Sequence, residues 1–219
     1  MKILTREEIY QIVKKEILNI ELLPGQRISE AEIAKKLGVS RQPIRELFIR
    51  LSHDQLVQVV PQKGTFISLI DLRQVKQVIK MRYLLEREVL IEACDKLSKR
   101  EIHHLEGICL DQEQFIEEDD TEAFLRADNQ LHKTIFEYCG YDVMWNIIES
   151  NTVNYSRFRY LDILEKENMV KIVSQHKQII ELIKEGNTNV LTELIEQHLY
   201  QGLIDSEHIV NRYEAYFKN

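Results

Sequence analysis

Residues 37–47, LGVSRQPIREL, decide the fold of the first third of this chain. Gly38 stops one helix, Ser40 caps the next, and only GVS lies between them, which is the spacing of a helix-turn-helix. Upstream, SEAEIAKKL (29–37) opens with the capping pair Ser29 and Glu32. TREEIYQIVKKEILN (5–19) opens with Thr5 and Glu8, and carries Ile9, Ile12, Val13 and Ile17 at helical spacing. Downstream, Ile44, Leu47, Phe48 and Leu51 form the inward stripe of the second helix of the pair. LVQVVPQKGTFISLI (56–70) then sets two β-branched runs around Pro-Gln-Lys-Gly, a hairpin signal. Three helices followed by a β-hairpin make a winged helix-turn-helix.

From Asp71 onward no further strand signal occurs. Capped amphipathic helices are expected at about 71–95, 98–118, 121–139, 142–164, 168–185 and 188–217, with Gly140 and Gly186 at helix ends. The fold class is therefore mainly α. A winged helix-turn-helix spans residues 1–70, and an all-α bundle of six or so helices spans residues 71–219.

Charge divides the chain the same way. The net charge is −7, yet residues 1–70 hold 11 Lys/Arg against 8 Asp/Glu, while residues 71–219 hold 18 against 28. A basic head on an acidic body implies two modules with different partners. The three cysteines (Cys94, Cys109, Cys139) are odd in number and lie on apolar helical faces, which suits reduced thiols in a cytoplasmic protein. Charges at positions 6–8 interrupt any leader-like apolar core, and no uncharged apolar run reaches membrane-spanning length, so no membrane partner is expected.

A recognition helix places its N-terminal residues against base edges in the major groove. Here these are Ser40, Arg41, Gln42 and Arg45, with Arg41 and Arg45 on one face. Arginine bonds a guanine edge bidentately, and Ser and Gln suit phosphate or adenine. Lys63 beside Gly64 at the hairpin tip can reach a phosphate or the minor groove, and Arg27 is a further phosphate contact.

In the body, DNQLH (128–132) puts Asp128 and His132 one helical turn apart, so both reach one ion. His176 lies in register with Ile172, Ile179 and Ile183, and His198 with Leu191, Leu194 and Ile195. Three inward histidines on three helices are costly to bury unless each finds a partner, and one ion bound by all three plus a carboxylate would satisfy them together. An Asp/His₃ set suits Zn²⁺, Ni²⁺ or Mn²⁺ and does not suit Ca²⁺. His53, His103, His104 and His208 read as structural or solvated.

LGVSRQPIREL and PQKGTFI resemble the winged-helix domain of the GntR family of bacterial transcription regulators, whose SR-x-P-[IV]-RE segment stands here as SRQPIRE. The resemblance implies that Arg41, Arg45 and the Lys63-Gly64 wing tip contact operator DNA. One departure is Ala31, where some members carry a DNA-contacting arginine. The helical body, with D-x-x-x-H followed by a histidine in each of two later helices, is similar to the FCD effector domain of the FadR-like subgroup. By that resemblance Asp128, His132, His176 and His198 ligate a divalent ion in a buried effector cavity. RYLLE (82–86) matches the family's R-x-x-[LI]-E, which makes Arg82 a candidate for an effector carboxylate; a plain Arg82–Glu86 helix-surface pair is the alternative. Tyr155, Arg157 and Arg159 are candidates to line the cavity. A second departure is Gly140-Tyr141-Asp142, where many relatives have Gly/Ala-Asn.

The resulting expectation is a metabolite-responsive regulator, not an enzyme, that binds a palindromic operator as a homodimer and a small carboxylate in its body. The alternatives are the same head on a metal-free helical dimerisation body, and a metal-dependent hydrolase or lyase. For the last, no second carboxylate is placed to act as general base.

Overall fold

Thr5 and Glu8 start the protein's first helix by bonding each other's backbone amides, closing the expected capping box on α1 (Arg6–Leu18). The computed structural model describes residues 4–204 and 206–218. After α1 the chain turns into β1 (Arg27–Ile28) and then α2 (Glu30–Leu37). Ser29 accepts from Glu32 N, but its hydroxyl donates to the Glu32 carboxylate, so only half of the expected box forms. Gly38, left-handed at φ 65°, ends α2, and α3 (Arg41–His53) follows. Ser40 holds the cap position of α3 without making a side-chain cap bond.

β2 (Val57–Val60) and β3 (Gly64–Ile67) form the hairpin, with Val59 opposite Thr65. β1 adds to β3 through Arg27 opposite Phe66, giving an antiparallel sheet in the order β1-β3-β2. This third strand was not foreseen, because two residues are too few to display alternation. Ile9, Val13, Ile17, Ile44, Leu51 and Ile67 share one core under the sheet.

Eight α-helices follow among the described residues, against the six or so expected: α4 (Leu72–Lys96), α5 (Lys99–Glu117), α6 (Thr121–Cys139), α7 (Asp142–Ser150), α8 (Val153–Asp162), α9 (Lys166–Glu185), α10 (Thr188–Ile204) and α11 (Ser206–Arg212). The expected 142–164 helix breaks at Asn151–Thr152. There Ser150 Oγ and Asn151 Nδ2 both donate to Ile147 O, and Thr152 Oγ1 donates to Glu149 O. Side chains thus take the carbonyls that a continuing helix would need. The expected 188–217 helix divides into α10, α11 and a 3₁₀ turn at Glu214–Tyr216, and the tail then folds back. Ile70 N donates to Tyr216 O and Lys218 N donates to Ile70 O.

The long helix α4 packs against α6, α7, α8, α9 and α10, so side chains from its middle reach the centre of the body. No helix among the described residues is long and apolar enough to cross a membrane.

Two glycines should respond oppositely to alanine. Gly64 has φ +115°, and a Cβ there would lie 2.9 Å from Arg27 Nε, whereas a Cβ on Gly107 inside α5 meets nothing within 4 Å. Urea denaturation should show Gly64→Ala destabilising by about 1–3 kcal/mol. Gly107→Ala should stabilise by up to ~1 kcal/mol.

Candidate metal centre and DNA-binding surface

Asp128 and His132 on α6, His176 on α9 and His198 on α10 meet beneath α4. The three histidines bring ring nitrogens within 4.8 Å of one another. His132 Nε2 lies 3.4 Å from His198 Nε2 and 3.9 Å from Asp128 Oδ2, and His176 Nε2 lies 3.6 Å from Asp128 Oδ1. Asp128, His132 and His176 are buried and His198 is half-buried.

The other nitrogen of each ring is tied to an oxygen. His132 Nδ1 lies 2.8 Å from Glu86 Oε2, His176 Nδ1 2.9 Å from Gln112 Oε1, and His198 Nδ1 2.9 Å from Gln175 Oε1. Carboxylate and amide oxygens only accept, so Nδ1 of His176 and of His198 carries the proton and donates, while His132 Nδ1 faces the Glu86 carboxylate as an ion-pair contact. Nε2 of His176 and of His198 is then a bare lone pair, and His132 Nε2 lies in the same space. Lone pairs cannot bond one another. His176 Nε2 and Asp128 Oδ2, both buried, have no hydrogen-bond partner. The donor set therefore fits a cation, with nitrogen and carboxylate ligands oriented from behind.

Electrostatics agree. Burial pushes His176 down to about 3, against the pull of Asp128, and burial likewise takes His198 well below its usual value. Both rings are neutral at pH 7, the form that ligates. Burial alone would raise Asp128, but Arg159 above all, with Arg82, outweighs it and holds the carboxyl far below its ordinary range. Glu86 is brought to about 2 because Arg82 and His132 overcome its desolvation.

Arg82, Tyr155 and Arg159 line one cavity with Asp128, His132 and His198, and Ile79, Phe158, Ile172 and Leu199 supply its apolar wall. Arg82 Nε donates to Glu86 Oε1 at 2.5 Å and its NH1 donates to the Tyr155 hydroxyl, while its NH2 is buried without a partner. The Arg82–Glu86 pair does form, but inside the protein and not on a helix surface. Arg159 NH2 lies 2.7 Å from Asp128 Oδ1. Arg157 is outside the cavity and turns toward residues 68–69.

Three site residues escaped sequence reasoning in these roles. Glu86 was named only as the partner of Arg82, and Gln112 and Gln175 were not named. Gln112 carried a signal, being a polar residue on the stripe Leu105, Ile108, Cys109, Ile116 of α5. The remaining histidines sit at the surface as expected, beside Asp54 (His53), Glu106 (His103), Tyr138 (His104) and Glu165 (His208).

On the head, Arg41, Gln42 and Arg45 are exposed along α3. Glu46, the single acid of that helix, pairs with Arg6 at 2.7 Å and leaves both arginines to solvent. Lys63 is exposed at the wing tip, and the Arg27 guanidinium lies across Gly64. Ala31 is exposed near the start of α2 and offers no side-chain donor.

The model of the bacterial regulatory proteins of the gntR family matches residues 5–67, and that of the FCD domain matches residues 77–201. The chain belongs to the GntR family of bacterial transcription regulators. It is 26% identical to the HTH-type transcriptional repressor RspR of Escherichia coli K12 over 89% of this chain and 86% of that protein. It is 29% identical to an HTH-type regulator from an unstable DNA locus of Streptomyces ambofaciens, over 93% of this chain and 86% of the relative. Among solved structures, Escherichia coli McbR/YncC superposes with a TM-score of 0.74 at 17% identity, covering 97% of this chain and all of that one. This GntR regulator is accordingly a transcription regulator and not an enzyme, with an FCD domain behind its DNA-binding head.

With chelator present, the protein should be sensitive to acid in a definite window. Folded His176 titrates near 3 and folded His198 well below 6.5, the ordinary value that the unfolded chain would show. Below about 6.5 the unfolded state therefore holds more protons than the folded one, so stability falls as pH falls toward about 3. Urea midpoints of EDTA-treated protein should drop between pH 7.5 and 5, and His176→Gln should flatten that drop.

Proposed function

We propose that this regulator is metabolite-responsive. In this reading residues 1–70 read a short palindromic operator, and residues 71–219 hold the effector and dimerise. The observation that carries it is the convergence of the ring nitrogens of His132, His176 and His198, with the Asp128 carboxylate beside the first two and an oxygen behind each Nδ1. Asp128, His132, His176 and His198 hold a divalent transition ion: Zn²⁺, Ni²⁺ or Mn²⁺. When bound, the ion supplies a Lewis-acidic anchor for a small carboxylate effector. The unpartnered NH2 of Arg82 donates to that carboxylate, Tyr155 fixes Arg82 from the far side, and Arg159 keeps Asp128 ionised.

On DNA, Arg41 and Arg45 read guanine edges, Ser40 and Gln42 bond phosphate or adenine, and Lys63, Gly64 and Arg27 approach the backbone from the wing. Two copies are required to read a palindrome. The exposed apolar side chains Leu84 of α4 and Val143 and Ile147 of α7 are available to a homodimer contact. The free thiols support a cytoplasmic location. The effector acts by binding one arrangement of the two heads more tightly than the other.

Two measurements test this. Metal analysis of protein purified without chelator or affinity metal should give roughly one ion per chain for wild type and little for His176→Ala; equal content in both refutes the site. In gel shifts with DNA selected by the wild type, Arg41→Ala and Arg45→Ala should each cost about 1–3 kcal/mol, with a shallower salt dependence wherever a phosphate contact is lost. Wild-type protein that binds no DNA at low salt overturns the reading.

A further inference from the structure

Arg82 and Arg159 are buried against acids, but Arg157 is fully buried and meets no carboxylate among the described residues. Its guanidinium donates to the backbone carbonyls of Ser68 and Leu69, to Val153 O and, at 2.9 Å, to Asn154 Oδ1. Burying a charge without a counter-charge is expensive, and the desolvation brings Arg157 down to about 10. What the fold obtains is a clamp on the segment that joins head to body.

Asn154 extends the clamp. Its Oδ1 also accepts from Asp71 N at 3.0 Å, and its Nδ2 donates to Gln74 Oε1. The rest of the segment is committed as well: Ile67 N donates to Gln26 O, Ser68 N to Leu56 O and Ile70 N to Tyr216 O. The connection between the domains is a held strap and not a loose hinge. Val153, at the start of α8, packs against the core of the head, and α1 touches α8.

The other side of the same helix lines the cavity. Two residues along a helix turn the side chain by about 200°, so Tyr155 and Arg159 point away from Arg157. Tyr155 holds Arg82 and Arg159 holds Asp128. A rigid rod of three turns thus has the cavity on one face and the strap on the other.

We propose that α8 transmits the state of the cavity to the DNA-binding head, with Arg157 and Asn154 as the positioning residues that convert a shift of α8 into a re-aimed winged helix. This rests on the cavity being the ligand site, so one arm of the test needs no ligand. Hydrogen exchange is followed at the amides of residues 67–71 in the full chain for wild type, Tyr155→Phe, Arg157→Lys and the double variant. Lysine keeps the charge but cannot span two carbonyls. Tyr155→Phe, which only removes the hydroxyl that Arg82 donates to, is expected to speed strap exchange when Arg157 is present and to add nothing once it is Lys. Additive effects, or no effect of Tyr155→Phe on the strap, overturn the proposal. If Arg157→Lys does not fold, Asn154→Ala takes its place in the cycle.

The second arm titrates Zn²⁺ alone. Zn²⁺ should slow strap exchange in wild type by about 5-fold or more and leave Arg157→Lys unmoved. Zn²⁺ affinity should agree between the two within about twofold. An equal strap response in the variant, or Zn²⁺ uptake with no response in wild type, overturns the proposal. Failure of wild type to take up Zn²⁺ counts against the metal centre, and the mutational cycle then decides the coupling by itself.

Discussion

Four charged side chains share the buried middle of the body, and their mutual neutralisation is the constraint on which the site and its surroundings depend. Arg82 and Glu86 come from α4, Asp128 from α6 and Arg159 from α8, and none is more than 9% exposed. Two positive and two negative charges cancel, which makes the burial tolerable; removing any one leaves an uncompensated charge away from water. The same four groups orient everything nearby. Glu86 fixes Arg82 on one side and faces His132 Nδ1 on the other, while Asp128 joins Arg159 to the imidazole cluster. Because the quartet already balances, a divalent cation among the rings brings a surplus of positive charge, and an anionic ligand beside it restores neutrality. The proposed carboxylate effector would fit that arithmetic as much as any single arginine.

Much of this was legible in the sequence, for reasons that can be named. Caps and stops act within four residues, so Thr5, Ser98, Gly38, Gly140 and Gly186 mark helix ends without knowledge of the tertiary fold. The four candidate ligands were legible because each is a polar residue on an apolar stripe. The break at Asn151–Thr152 was not, since apolar periodicity continues across it and only side-chain bonds to the preceding carbonyls interrupt the helix. Nor could the faces of α8 be assigned. Asn154, Tyr155, Arg157, Phe158, Arg159 and Leu161 are all buried, and a helix buried on every side has no amphipathic pattern to read. Which of its arginines meets the cavity is decided by packing alone.

The head shows how a basic surface is kept available in a protein of net negative charge. Acids on and around α3 are already engaged: Glu46 with Arg6, Glu7 with Arg50, and Asp54 with Tyr10. These bonds tie α1 to α3 and the turn after it and engage neither Arg41 nor Arg45. Ala31 offers no side-chain donor at the start of α2, and at the wing the Arg27 side chain and Gly64 form one surface because no Cβ separates them.

The fold-back of the tail has a further consequence. Ile70 and Phe217 stand almost the whole body apart in sequence, yet they pair and share the same core. The first and last turns of the helical domain thus open or close as a single cooperative unit. Loss of the Ile70–Phe217 pairing would therefore loosen the root of α4 and the strap beside it together.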